Sequence, residues 1–133
     1  MQQLKIDYET NNPRVDAYNR YSVAAGAVLD SDTGMLRITP GQYANLQSLF
    51  FVVGGTTFEL TANAQIWPRA LNSFINGTAD GIYLVIHNTG RASGQGLDFV
   101  NGYTFLERFY SVFDTENRRV GLATTSFTTV TSN

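Results

Sequence analysis

No cysteine occurs in the sequence, which removes disulfides, thiolate metal sites and a cysteine nucleophile together. Basic residues are scarce, nine Lys plus Arg against eleven Asp plus Glu, so no cationic stripe is available to neutralise phosphates and nucleic acid is not an expected partner. Long apolar runs are also missing. Leu49 to Val53 and Tyr83 to Ile86 are strand-sized, well below the roughly 20 residues that span a bilayer, so no membrane partner is expected. The opening MQQLKIDYET has no positively charged segment followed by an apolar one, so no secretory signal is read in the chain as written. The single histidine, His87, leaves a Ser-His-Asp site one possible base and no Gly-x-Ser-x-Gly elbow to serve; it reads as a strand-end residue. Asp7, Glu9, Asp80 and Asp98 lack calcium-loop spacing, and Gly54-Gly55 and Gly94-Gln95-Gly96 lack the lysine and helix of a phosphate loop. Neither a metal nor a cofactor is expected.

What is present suits one globular domain over residues 1–133: 43% of the residues are hydrophobic and 13% aromatic. Leu4, Ile6 and Tyr8 alternate with charged residues, the period of a half-buried strand. Asp16 to Gly26 has helical spacing at Tyr18, Tyr21 and Val23, and Gly26 is a stop. Thr39-Pro40 opens a second short helix running to Leu46. SLFFVVGGTTFELT predicts a hairpin turning at Gly54-Gly55, and YSVFD with RVGLATT predicts another turning over Thr115 to Arg118. A further strand lies within TADGIYLVIHNTG, RASGQG reads as a flexible loop, and the tail beyond Phe127 is expected to fray. The class is mainly β with two or three short helices.

Two stretches carry a family resemblance. Phe99 to Phe127, FVNGYTFLERFYSVFDTENRRVGLATTSF, resembles the end of pepsin-like aspartic proteases, and Gln47 to Asn72 is similar to the polyporopepsin-type enzymes of basidiomycete fungi. The resemblance covers Asp16 to Asn133 and not residues 1 to 15. It implies a single lobe of the pepsin-like fold, β-barrel-like, corresponding to the C-terminal part of the second lobe. Members of the family are secreted, and each of their two lobes supplies one catalytic Asp from an Asp-Thr/Ser-Gly turn. The place of the second such turn is filled here by MQQLKIDYETNNPRV, so neither turn is expected in this chain.

The tripeptide Asp32-Thr33-Gly34 is the weak candidate for a catalytic turn. Asp30 and Ser31 stand where apolar residues should anchor such a loop, and Met35 replaces the supporting hydroxyl residue, so Asp32 reads as a surface turn. A dyad also needs two carboxylates sharing one proton, which one lobe cannot supply. Trp67, Arg69 and Tyr103 are candidates for a surface that takes a protein or carbohydrate ligand, since aromatic faces stack on such groups. Tyr103 stands where the family commonly has Asp, after the family-like element Val100-Asn101-Gly102. Asn76-Gly77-Thr78 fits the N-glycosylation pattern. The resemblance, together with the missing catalytic turns, implies a non-catalytic, protease-derived fungal protein acting by binding, in defence, as a lectin or as a bioactive surface protein. The alternative is a component of an aspartic endopeptidase, either a retroviral-protease-like homodimer or one piece of a two-lobe enzyme. Loss of a neighbouring lobe would expose strand edges, so a homodimer or oligomer is expected.

Overall fold

The first two helices are set by their ends. Residues 5–7, 15–90 and 100–132 are described by a computed structural model. Helix α1, Val15–Ala25, turns Tyr21 and Ala25 into the core, with Tyr18 packed beside them. It stops where Gly26 takes φ +65°, a conformation that costs a residue with a Cβ. The Gly26 N–H then donates to the Val23 carbonyl and the Ala27 N–H to that of Ser22, satisfying carbonyls the helix leaves open. Helix α2, Pro40–Ala44, starts in a capping box: Thr39 Oγ1 accepts from the Gln42 N–H, and Gln42 Oε1 accepts from the Thr39 N–H at 2.7 Å. It ends two residues before the expected Leu46, the last N–H groups of Asn45 and Leu46 closing tighter turns onto Gln42 and Tyr43.

Among the described residues the strands form three small sheets. Strand β1, Lys5–Asp7, lies parallel to β4, Leu49–Val53, which pairs antiparallel with β5, Thr56–Leu60. Gly54 and Gly55 both take positive φ, +56° and +74°, as a two-residue hairpin turn matched to strand twist requires. Leu4 and Tyr8, two of the three residues of the expected N-terminal apolar face, lie outside the described residues, as does the RASGQG loop. Strand β2, Val28–Leu29, pairs with β3, Leu36–Ile38, and β3 with β6, Ile82–Leu84. Strand β7, Phe109–Asp114, and β8, Arg119–Thr124, form the last hairpin, with Asp114 accepting from the Asn117 N–H and from Arg119 Nε to close the turn.

A line of aromatic contacts ties the first sheet to the last hairpin through α3, Tyr103–Leu106. Phe51 of β4 meets Phe105 edge-on at 5.3 Å between centroids, Phe105 lies 4.7 Å from Phe109, and Phe109 meets Phe58 of β5 at 5.6 Å. The 3-10 turn Asn63–Gln65 packs against α3, and the longer 3-10 turn Arg69–Ile75 follows. Period-based reasoning missed both, because short 3-10 segments carry no apolar repeat of their own.

The tail is held down instead of fraying. Arg108, buried at the α3–β7 junction, donates through Nη1 to the Val130 carbonyl at 2.9 Å and through Nη2 to Asn63 Oδ1 at 2.9 Å. Its own carbonyl accepts from the Thr128 hydroxyl at 2.6 Å, and Asn63 Nδ2 donates to the Thr131 carbonyl. The Ser- and Thr-rich composition that suggested disorder supplies the hydroxyls that fasten it.

Gln65, 0% exposed, joins four elements. Its Oε1 accepts from the Tyr21 hydroxyl of α1 at 2.9 Å, and its Nε2 donates to the carbonyls of Gln47 before β4 and Leu60 at the end of β5. Its backbone carbonyl accepts from the Val85 N–H just after β6. Gln65→Ala strands a buried hydroxyl, the buried Leu60 carbonyl and the partly buried Gln47 carbonyl, so chemical denaturation should show a loss of about 3 kcal/mol. Tyr21→Phe, which leaves only the Gln65 Oε1 unpaired, should cost about 1–2 kcal/mol. Equal effects of the two variants would rule out Gln65 as the hub.

Candidate functional site

The β2–β3 connection contains the Asp-Thr-Gly tripeptide, and its geometry is organised by Asp30 rather than Asp32. Asp30 Oδ1 accepts from the Asp32 N–H at 3.1 Å, the Thr33 N–H at 2.9 Å and the Thr33 hydroxyl at 3.0 Å. The Gly34 N–H donates to the Asp30 carbonyl, and Thr33 Oγ1 accepts from the Met35 N–H. Gly34 takes φ +69°, which lets the chain reverse. Asp32 sits exposed at the tip. The spacing Asp30-x-x-Thr33 was the available signal for this Asx-type turn.

Behind the turn, Arg37 of β3 links two loops. Its Nη1 lies 3.8 Å from Asp30 Oδ2, and its Nη2 lies 3.9 Å from Asp80 Oδ1 and 3.1 Å from Thr78 Oγ1. Its guanidinium lies 5.7 Å from the centroid of the Tyr83 ring. Hydrogen bonding from the Thr33 N–H, helped by its hydroxyl, the Asp32 N–H and Arg37, holds the Asp30 carboxyl below its usual range. The Thr78 hydroxyl does the same for Asp80, with Arg37 contributing less. Carboxylates that share a proton require one member shifted upward, and both of these are shifted downward. Their arrangement serves to fix turns.

The other candidates are dispersed. Trp67 is partly buried, its N–H donating to the Tyr83 carbonyl while the indole Nε1 is buried without a partner. Arg69 is exposed, its guanidinium 5.6 Å from the Tyr43 ring centroid, and Tyr103 is 81% exposed at the start of α3. No hydrogen bond, ion pair or ring contact joins Trp67, Arg69 and Tyr103 among the described residues. His87 is exposed beyond β6, and Asn76 is exposed at the end of the Arg69–Ile75 turn. A cleft of about 480 Å³ lies between the end of α1 and α2, bordered by Val23, Gly26, Thr39, Gln42 and Leu46; none of its lining side chains ionises. Among the described residues no group of three or more His, Cys, Asp or Glu is placed to hold a metal ion.

Residues 11–125 match the family described as eukaryotic aspartyl protease. The chain belongs to that family. Polyporopepsin from Irpex lacteus is 67% identical over 118 residues, which are 89% of this chain and 35% of the relative. Human gastricsin is 34% identical over 101 residues, 76% of this chain and 24% of the relative. The crystal structure of the aspartic proteinase from Irpex lacteus superposes with a TM-score of 0.85 at 67% identity, again over 89% of this chain and 35% of that one. The fold is therefore that of a pepsin-like aspartic proteinase, and the chain spans about a third or less of the length of the curated relatives it matches.

One expectation is overturned by these matches. A non-catalytic protein acting by binding, in defence or as a lectin, finds no support: the sequence stays 67% identical to a protease across nearly the whole shared length.

Because the Asp30 carboxyl is lowered in the fold, the stability it contributes is present above the unfolded carboxyl pKa of about 3.9 and is lost as pH falls through the lower folded value. Asp30→Asn should lower the melting temperature by a few degrees at neutral pH, and the gap should close on acidification below about pH 4. Asp32→Asn should leave the melting curve unchanged. A gap that ignores pH would mean that Asp30 acts only as a neutral acceptor.

Proposed function

We propose that this chain works as one piece of a two-lobe aspartic endopeptidase, cleaving protein substrates together with the remaining polypeptide of such an enzyme. The observation that carries this reading is the 67% identity to polyporopepsin over 118 residues that make up only 35% of that protein. Peptide hydrolysis of this kind needs two carboxylates sharing a proton, one of which activates a water for attack on the peptide carbonyl. Asp32 at an exposed tip and Asp30 and Asp80 held by Arg37 are unsuited to that task, so the acting pair is assigned to the rest of the enzyme. The contribution of this chain is the frame on which the rest packs.

The β7–β8 hairpin supports this assignment. Tyr110 and Val112 point to one face and Phe113 and Val120 to the other, and all four are largely exposed. Only Phe109 and Leu122 of this hairpin pack on the core, so its outer part is bare on both faces, and the remaining polypeptide of a homologous protease is the natural cover. Without that cover, the chain should associate with itself through the same surface.

Complementation tests both points. Polyporopepsin truncated of its homologous 118 residues is refolded with and without this chain, and cleavage of denatured globin is followed at about pH 3 to 5. Proteolysis is expected only in the mixture, with Phe113→Lys weakening it; sedimentation equilibrium of the chain alone should show an oligomer that the same substitution dissociates. Cleavage by the chain alone, abolished by Asp32→Asn, would instead establish a homodimeric protease. No cleavage in the mixture would remove the two-lobe reading.

A further inference from the structure

We propose that Asn76 carries an N-linked glycan whose first sugar packs on the ring of Phe74, which places this chain in a eukaryotic secretory route. The segment Phe74-Ile75-Asn76-Gly77-Thr78 combines an acceptor sequon with an aromatic residue two positions ahead of the asparagine. It lies where the Arg69–Ile75 turn ends and the chain reverses: Asn76 adopts φ 58° and ψ 25° and is exposed, its backbone N–H donating to the Ser73 carbonyl.

The backbone accounts for most of the segment. Asparagine tolerates the left-handed conformation better than other side chains do. Gly77 is required by Tyr83, because a Cβ there would stand 2.7 Å from the ring. Thr78 accepts from Arg37 Nη2, and its backbone N–H donates to the Tyr83 hydroxyl at 3.0 Å. Two features remain. Among the described residues the Asn76 side-chain amide has no hydrogen bond, and Phe74 is 80% exposed in a turn whose neighbour Asn72 is buried and bonded to the Thr78 and Gly81 carbonyls. A reversed backbone thus presents an exposed amide two residues after an unburied aromatic side chain. The C–H face of an N-acetylglucosamine linked at Asn76 is apolar, and covering Phe74 with it removes both surfaces from water.

In the transfer step, Asn76 Nδ2 attacks C1 of an N-acetylglucosamine held on a lipid-linked diphosphate oligosaccharide. The N–C1 bond forms, the C1–O bond to the diphosphate breaks, and one amide proton leaves to the transferase. In the finished fold the Thr78 hydroxyl is occupied by Arg37 and bonded to Asp80, so transfer precedes the closing of these contacts.

The full chain, secreted from a eukaryotic host behind a cleavable leader, is treated with an endoglycosidase that leaves one sugar, and the peptide containing residue 76 is weighed. A single N-acetylhexosamine on Asn76 in most molecules, absent in Asn76→Gln, is expected. The one-sugar protein should also melt a few degrees above Asn76→Asp, and this difference should vanish in Phe74→Ala and Phe74→Leu. The leucine variant keeps apolar bulk without a ring face, so it decides the matter if the alanine variant is not secreted. An unmodified Asn76 in the secreted wild-type chain would overturn the proposal. So would a melting difference that survives loss of the ring.

Discussion

The buried amide of Gln65 is the interaction on which the arrangement of this chain depends. An amide offers donors and an acceptor in a fixed plane, so the three partners of its side chain, the Tyr21 hydroxyl and the Gln47 and Leu60 carbonyls, are placed relative to one another by one group. Apolar contacts alone are not directional and would let α1 slide on the β4–β5 hairpin. Burial also pushes the Tyr21 hydroxyl well above its usual pKa, which keeps it protonated as the donor to Gln65. The aromatic line through Phe51, Phe105, Phe109 and Phe58 supplies burial; Gln65 supplies register.

Arg108 plays a comparable part at the other end of the core. Its guanidinium is satisfied by Asn63 and by tail carbonyls, which binds the last residues to the 3-10 turn beside Gln65. Both polar hubs therefore converge on Asn63–Gln65, three residues that are all buried. A segment this short earns such burial only because its polar side chains are met on several sides. The outer parts of the chain contrast with this: the β7–β8 hairpin has few partners for its apolar residues, and the loops around Arg37 are held by charge and hydroxyl contacts at the surface.

The candidate site divides in the same way. The tripeptide at residues 32 to 34 matches a catalytic motif in letters, yet the hydrogen bonds run to Asp30, two positions earlier, because a carboxylate at the first position of the turn can collect the N–H groups that follow. The apolar residues that would aim a catalytic carboxylate inward are absent before Asp32, and that difference was visible in the sequence. Arg37 was not visible as a partner of either acid, since Asp80 is brought to it by the pairing of β3 with β6.

What the sequence determined by itself was local. Gly26, the Thr39-Pro40-Gly41-Gln42 start, Gly54-Gly55 and the turn over Thr115 to Arg118 each force one backbone geometry through φ restrictions or neighbouring hydrogen bonds, so they could be placed without knowing anything distant. The family was legible for a related reason, because the resemblance is carried by long stretches of consecutive residues such as Phe99 to Phe127, and the family match spans residues 11–125. Tertiary structure alone decided the rest. Whether the tail is held, whether Gln65 lies inside, and which acid Arg37 meets all depend on groups separated by tens of residues. Nothing in a window of sequence can show that Thr128 closes on Arg108 or that Tyr21 reaches Gln65, since those bonds form only once the sheets have packed.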